Sequence, residues 1–205
     1  MMAKLSIKWR LLVISMAGPL AVTLVMGFFL VEAIEEFSSE GLVEKSRAIV
    51  IMAEAARADL SAKIEGGLMR PFEEIPREKA VDAVPVVTAI RLARENAQKG
   101  GYQFRVPKIS PRNPENEPTD LERKVLGELR DKGLTEYILK EPGQTRYFRA
   151  IRLTRDCLRC HGDPKGEPDP IGGIKEGWKE GEVHGAFEII TSHAAAADER
   201  REAIL

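Results

Sequence analysis

Residues 11–31 carry no charged side chain, and no other feature restricts the fold of this chain as strongly. At 1.5 Å rise per residue, a helix of that length crosses the roughly 30 Å hydrocarbon core of a bilayer. Lys4, Lys8 and Arg10 precede the run, and Glu32, Glu35 and Glu36 follow it. The positive-inside rule then keeps residues 1–10 in the cytoplasm and sends everything after Val31 outside. Trp9 and the Phe28–Phe29 pair suit the two interfaces, and Pro19 after Gly18 is tolerated in a membrane span. A cleavable signal peptide is the rival reading, but its apolar region is usually about 7–15 residues long and ends in small residues. Here Phe28, Phe29 and Leu30 occupy that place, so an uncleaved anchor is favoured. The one-sided flanking charges argue against a buried globular helix, and either leading reading exports the rest of the chain.

Beyond the span there is enough chain for one domain. Of the 205 residues, 43% are hydrophobic and 31% charged, with 17 Gly and 12 Pro, which excludes disordered and collagen-like chains. The formal charge of -1 leaves no electrostatic footprint for nucleic acid. From Glu32 to about Gly66 the pattern is that of a long amphipathic helix. Its stripe is Ile34, Phe37, Leu42, Ile49, Met52, Ala53, Ala56, Leu60 and Ile64, and Gly66–Gly67 and Pro71 break it. A second helix is expected over residues 79–98, bent or divided at Pro85 and ended by Gly100–Gly101. A strand follows over residues 102–109, then a Pro/Asn-rich loop to Pro118. Thr119 and Glu122 form a capping-box signature opening a helix that Gly133 closes. Residues 135–140 and 145–153 read as a hairpin about Pro142–Gly143, residues 162–177 as a Gly/Pro-rich loop and residues 184–191 as a last strand. A helix is expected over residues 193–205. The order implies an α+β domain with a small antiparallel sheet, covering residues 32–192.

Both cysteines fall in Cys157-Leu158-Arg159-Cys160-His161, the C-x-x-C-H signature of covalent c-type haem attachment. Thiols three positions apart reach the two vinyl groups on one porphyrin edge, and the next residue places an imidazole on the iron. A thioredoxin-like redox pair would need a βαβ context, whereas this motif lies between a strand and a Gly/Pro loop. Half a zinc site would need a second ligand pair, and His184 and His193 are isolated. A simple disulfide remains open but gives His161 no part. No nucleophile–base pair, paired carboxylate site or phosphate loop stands out, so the chain reads as a non-enzyme.

The residues Tyr102-Gln-Phe-Arg105, Pro111-Arg-Asn-Pro-Glu-Asn-Glu-Pro118 with Glu122, Cys157-Leu-Arg-Cys-His-Gly162 and Gly181-Glu-Val-His-Gly-Ala-Phe187 carry a resemblance. Together they resemble the DUF3365, or Tll0287-like, haem c family over about residues 32–192. The resemblance implies a PAS-like fold carrying one haem c. Such domains occur free or as periplasmic input domains of methyl-accepting chemotaxis proteins and sensor kinases. It therefore implies a bacterial inner-membrane protein with a periplasmic domain that senses redox state or a small gas. The alternative is a membrane-anchored monohaem electron carrier. A receptor would continue with a second membrane helix, about where this sequence stops at Leu205, so the resemblance makes the chain a receptor fragment or a stand-alone anchored sensor.

Family-matched candidates for the haem propionates are Arg105, Lys108, Arg112 and Asn113, with Tyr102 and Tyr147 as hydrogen-bond or packing partners. Some family members use a distal cysteine, and this chain has no third one. The exported candidates for the sixth iron ligand are Met52, Met69, His184 and His193. Met52 is placed slightly ahead of Met69, with an open or water-filled site as the alternative. A homodimer is also expected, because Leu42, Ile49 and Ala56 lie at seven-residue spacing on a helix too long for one small domain to cover.

Overall fold

The computed structural model describes residues 7–97 and 99–194. It divides into two compact units, one reaching Leu42 and one beginning at Val43. Helix α1 (Ile7–Glu65) supplies the first unit and continues into the second. Pro19 lies inside α1 without ending it. Residues Ile7–Ala33 have a mean hydropathy of 2.1 and are long and apolar enough to cross a bilayer. Lys4, the side chains of Arg10, Ile34 and Glu35, Gln98 and the expected C-terminal helix beyond residue 194 lie outside the described residues.

In the second unit α1 ends where Gly66 and Gly67 were expected to break it. Gly67 takes a positive φ of 71°, and the Leu68 amide donates to the Lys63 carbonyl at 2.9 Å. Pro85 divides the next helical stretch. A short helix α2 (Arg77–Ala80) and a 3-10 turn (Val81–Ala83) precede α3 (Pro85–Ala97), which begins on that proline because its missing N–H costs nothing there. Strand β1 (Tyr102–Arg105) is shorter than expected, since Pro107 has no donor to continue the ladder. Lys108 rejoins the sheet through an isolated bridge to Gly185. The capping box forms in full. The Glu122 amide donates to Thr119 Oγ1 at 3.3 Å, and the Thr119 amide donates to Glu122 Oε2 at 2.7 Å, opening α4 (Asp120–Asp131). Strands β2 (Glu136–Glu141) and β3 (Gln144–Arg152) make the expected hairpin, followed by a one-turn helix α5 (Leu158–His161) and β4 (Val183–Ser192).

The fold is α+β, with a four-stranded antiparallel sheet in the order β1-β4-β3-β2. The pleat sends alternate residues of each strand to opposite faces. Tyr147, Phe187 and Ile189 pack with Val43 and Val50 of α1 and Ala93 and Ala97 of α3. Phe148, Ala150 and Ala186 pack with Val125, Leu126 and Leu129 of α4 on the other face. The buried line of α1 in this unit is Val43, Ser46, Val50, Ala53, Ser61 and Ile64. It differs from the expected stripe because two serines belong to it and Met52 does not. Leu42 is buried and Ile49 and Ala56 are half-buried, so the seven-residue set expected to pair two copies is largely covered within one chain.

Two carboxylates lie fully buried under α4. Glu122 accepts from Arg105 Nε at 2.9 Å and Arg146 Nη2 at 3.3 Å, and Glu188 accepts from Arg146 Nε at 2.6 Å. Burial raises the Glu122 carboxyl, but hydrogen bonds from Glu188, Arg105 and the Thr119 amide hold it down at about 2. Burial and the adjacent Glu122 push Glu188 up to about 8 against the pull of Arg146. Glu188 Oε2 accepts no hydrogen bond among the described residues, with Arg105 Nε 3.7 Å away, and a proton carried on this carboxyl would satisfy it. The folded chain thus holds a proton that the unfolded chain releases above about 4.5, so this site loses stability as pH rises from there through about 8. Replacing Glu188 with Gln removes that loss. Melting curves of E188Q should therefore gain on wild type between about pH 5 and about pH 8, by on the order of a few kcal/mol. Curves that stay parallel over the range would show an ionised Glu188.

Candidate functional site

The Cys157–His161 segment follows directly from the end of β3. A 3-10 turn over Arg155–Cys157 runs into α5, and the spacing of three puts Cys157 and Cys160 one turn apart. Both are free thiols. A Cβ on Gly162 would lie 2.6 Å from the Leu158 carbonyl oxygen, so glycine is the residue that lets the chain leave α5 after His161. The segment is tied to α1 by Ser61 Oγ, which donates to Asp156 Oδ2 at 2.6 Å. Arg57 Nη1 lies 3.5 Å from Cys157 Sγ.

The loop after α5 has little regular structure, and one cation, Arg112, gathers several of its groups. Arg112 Nε donates to Glu176 Oε1 at 2.7 Å and Arg112 Nη2 to Glu176 Oε2 at 3.0 Å. The same guanidinium pairs with the buried Asp169 and donates to the carbonyls of Cys160 at 3.0 Å and Ile174 at 2.8 Å. Asp169 in turn accepts from the amides of Ile171 and Gly173. His161 Nδ1 lies 2.8 Å from Glu176 Oε2. Burial lowers the His161 pKa against the Glu176 hydrogen bond that raises it, which favours the neutral ring. Burial also pushes the Cys160 thiol up to about 11. The Trp178 ring stacks on both His161, at 4.8 Å between centroids, and His184, at 4.1 Å, and Lys108 Nζ sits 4.5 Å from the indole centroid.

Lys108, Arg112, Cys160, His161, Trp178 and His184 border a cavity of about 530 Å³. Its apolar wall comes from Ile64 of α1, Phe72, and Val86, Val87 and Ile90 of α3, together with Val106. Cys157, Cys160, His161, Lys108, Arg112, Asn113 and His184 all line it, so the sequence-derived set is brought together in these seven. Six candidates are not. Tyr147 is fully buried on the sheet face toward α1 and α3, with its hydroxyl donating to Glu136 at 2.9 Å. Tyr102 packs against the same core and donates to the Ala93 carbonyl at 3.4 Å. Arg105 is committed to Glu122. Met52 is 72% exposed, because it precedes Ala53 by one residue and so lies about 100° round α1 from the buried line. Met69, in the turn after α1, is 38% exposed and outside the lining. Of the histidines, His184 lines the cavity, whereas His193 sits at the hairpin end of the sheet, 3.1 Å from Thr145 Oγ1.

Reading the sequence alone missed Arg57, Ser61, Asp169, Glu176 and Trp178. Trp178 had a signal, as one of only two tryptophans standing beside a Gly/Pro-rich loop. The others look like ordinary helix or loop polar residues until the loop closes.

A C-x-x-C-H turn opening onto a largely apolar cavity in an α+β domain defines the class of site. The Tll0287-like family model, described as Tll0287, matches residues 35–192, and the chain belongs to that family. Among solved structures its fold is similar to the crystal structure of the cyanobacterial heme-protein Tll0287. The TM-score is 0.58 at 24% identity, covering 74% of this chain and 94% of that one. No curated protein sequence matches the chain.

Arg112→Ala removes the cation from two carboxylates and two carbonyls at once, one carboxylate being fully buried. The variant should lose about 3 kcal/mol in denaturant unfolding and become sensitive to limited proteolysis within residues 162–177. Cleavage rates equal to wild type would show that Arg112 does not hold the loop.

Proposed function

We propose that this chain is a membrane-anchored, periplasmic haem c sensor, with one haem joined through Cys157 and Cys160 and held on iron by His161. The observation that carries the reading is the placement of both thiols and the imidazole of one five-residue motif on the wall of one apolar cavity. The residues present fit such a group. Arg57 lines the cavity with a buried Nε that has no acceptor among the described residues, Lys108 faces it, and valine and isoleucine side chains suit a porphyrin face. When bound, haem supplies redox chemistry and an iron site for a small ligand. The protein's part is to hold the imidazole neutral, exclude water with Ile64, Phe72 and Ile90, and present cations to carboxylates.

Wild-type protein expressed with a haem-attachment system should keep a haem-stained band through denaturing electrophoresis. C157S and C160S should each weaken it, and the double variant should lose it. Absence of the band from wild type would leave a haem-free binding domain.

For the sixth position we take the open site, because neither Met52 nor Met69 lines the cavity. M52A and M69A should leave the oxidised spectrum unchanged, with no near-infrared methionine band in wild type. H184A tests the remaining imidazole, whose Nε2 already lies 2.8 Å from Glu182. A spin-state change in that variant alone would assign His184 as ligand. An open site favours the gas or redox sensor over the electron carrier. So does α1, which carries both the apolar run and the cavity residues Arg57 and Ser61. Pairing of two copies belongs to the same reading, through the exposed Ala48, Ile51, Met52 and Ala55 of α1.

A further inference from the structure

We infer that Glu176 is the positioning residue for His161, and that its carboxylate keeps the imidazole an unusually strong donor toward iron. The inference rests on the haem reading above and goes beyond it, since nothing in the C-x-x-C-H motif specifies what the second ring nitrogen meets.

Glu176 Oε1 and Oε2 both accept from Arg112, a guanidinium that has no acceptor capacity of its own. A carboxylate clamped in that way is an acceptor at Oε2 as well. His161 Nδ1, 2.8 Å from Oε2, must therefore be the nitrogen that carries hydrogen. In the neutral ring this leaves the lone pair on Nε2, the form required to bind a metal. The ring plane is fixed separately. Trp178 lies nearly parallel to it, 16° between planes, and the Trp178 amide donates to the His161 carbonyl at 2.9 Å. Arg112 completes the assembly by donating to the Cys160 carbonyl, so the clamp on Glu176 and the peptide before His161 share one guanidinium.

A charged acceptor on Nδ1–H pulls the proton toward oxygen and increases electron density at Nε2. Such a ligand favours ferric over ferrous iron, so Glu176 lowers the reduction potential of the site. A neutral amide at the same place keeps the shape and the hydrogen bond and discards the charge. Arg112 and Asp169 are unchanged by that substitution, and the covalent attachment at Cys157 and Cys160 does not depend on it.

The test is made on the full-length holoprotein, wild type and Glu176→Gln. Haem staining after denaturing electrophoresis establishes loading in each. Potentiometric titration should then show the E176Q ferrous-to-ferric ratio at fixed ambient potential raised about tenfold, equivalent to about 59 mV upward for a one-electron couple. The ferrous iron–histidine stretch, read by resonance Raman after photolysis of the carbon monoxide adduct, should fall in E176Q relative to wild type. A loaded E176Q with unchanged potential and unchanged stretch overturns the role of Glu176 and leaves the haem reading standing. A wild type without a haem-stained band overturns the haem reading instead. If E176Q fails to load, wild type decides the matter. An iron–histidine stretch at the frequency of a histidine bonded to a neutral carbonyl overturns the inference, and one raised above it supports the carboxylate.

Discussion

Strand β4 is the member on which the remainder of the domain depends. It pairs with β1 on one side and β3 on the other, and seven of its ten residues are buried, spread over both faces of the sheet. A strand in that position needs helices above and below it, because neither face can be left to water. The helical layer of α1 and α3 covers Phe187 and Ile189, and α4 covers Ala186. The same demand explains the polar cluster beneath α4. Glu188 must occupy a position in β4 that the pleat turns inward, and Arg146, Arg105 and Glu122 surround it with charge and one shared proton.

The cavity is made where that layering ends. Helices α1 and α3 line one wall with Ile64, Val86, Val87 and Ile90, and the chain from Leu153 to Glu182 closes the other with a turn and a loop rather than another strand. A loop without a ladder needs its backbone groups satisfied by side chains. Arg112 and Asp169 do this from within, so the residues that hold the loop together are also those that set the surroundings of His161.

What could be read from the sequence was what depends on near neighbours along the chain. Thr119 and Glu122 announce a helix start because both halves of the capping box lie within four residues. Pro142–Gly143 announces a hairpin because its turn demands a positive φ, found at 83° on Gly143. The Cys157–His161 motif is legible for the same reason. Arg105 and Tyr147 were placed at the cavity from family likeness, but the alternation of β1 and β3 directs them to the buried acid cluster and to the core. Met52 shows how narrow the margin is on a helix, where one residue separates the buried line from solvent. Glu176 could not be singled out, since its meaning comes from Arg112, sixty-four positions earlier, and from a ring fifteen positions earlier.

The stacking of Trp178 between two imidazoles has a practical consequence. The chain has two tryptophans, and the other, Trp9, belongs to the apolar run near the N-terminus. In the second unit, then, tryptophan emission comes from a single indole, in contact with His161 and lining the cavity. Any strongly absorbing group seated there lies within a few ångströms of that indole and drains its excited state. The protein thus contains its own fluorescent gauge of cavity occupancy, without an added label or an introduced residue.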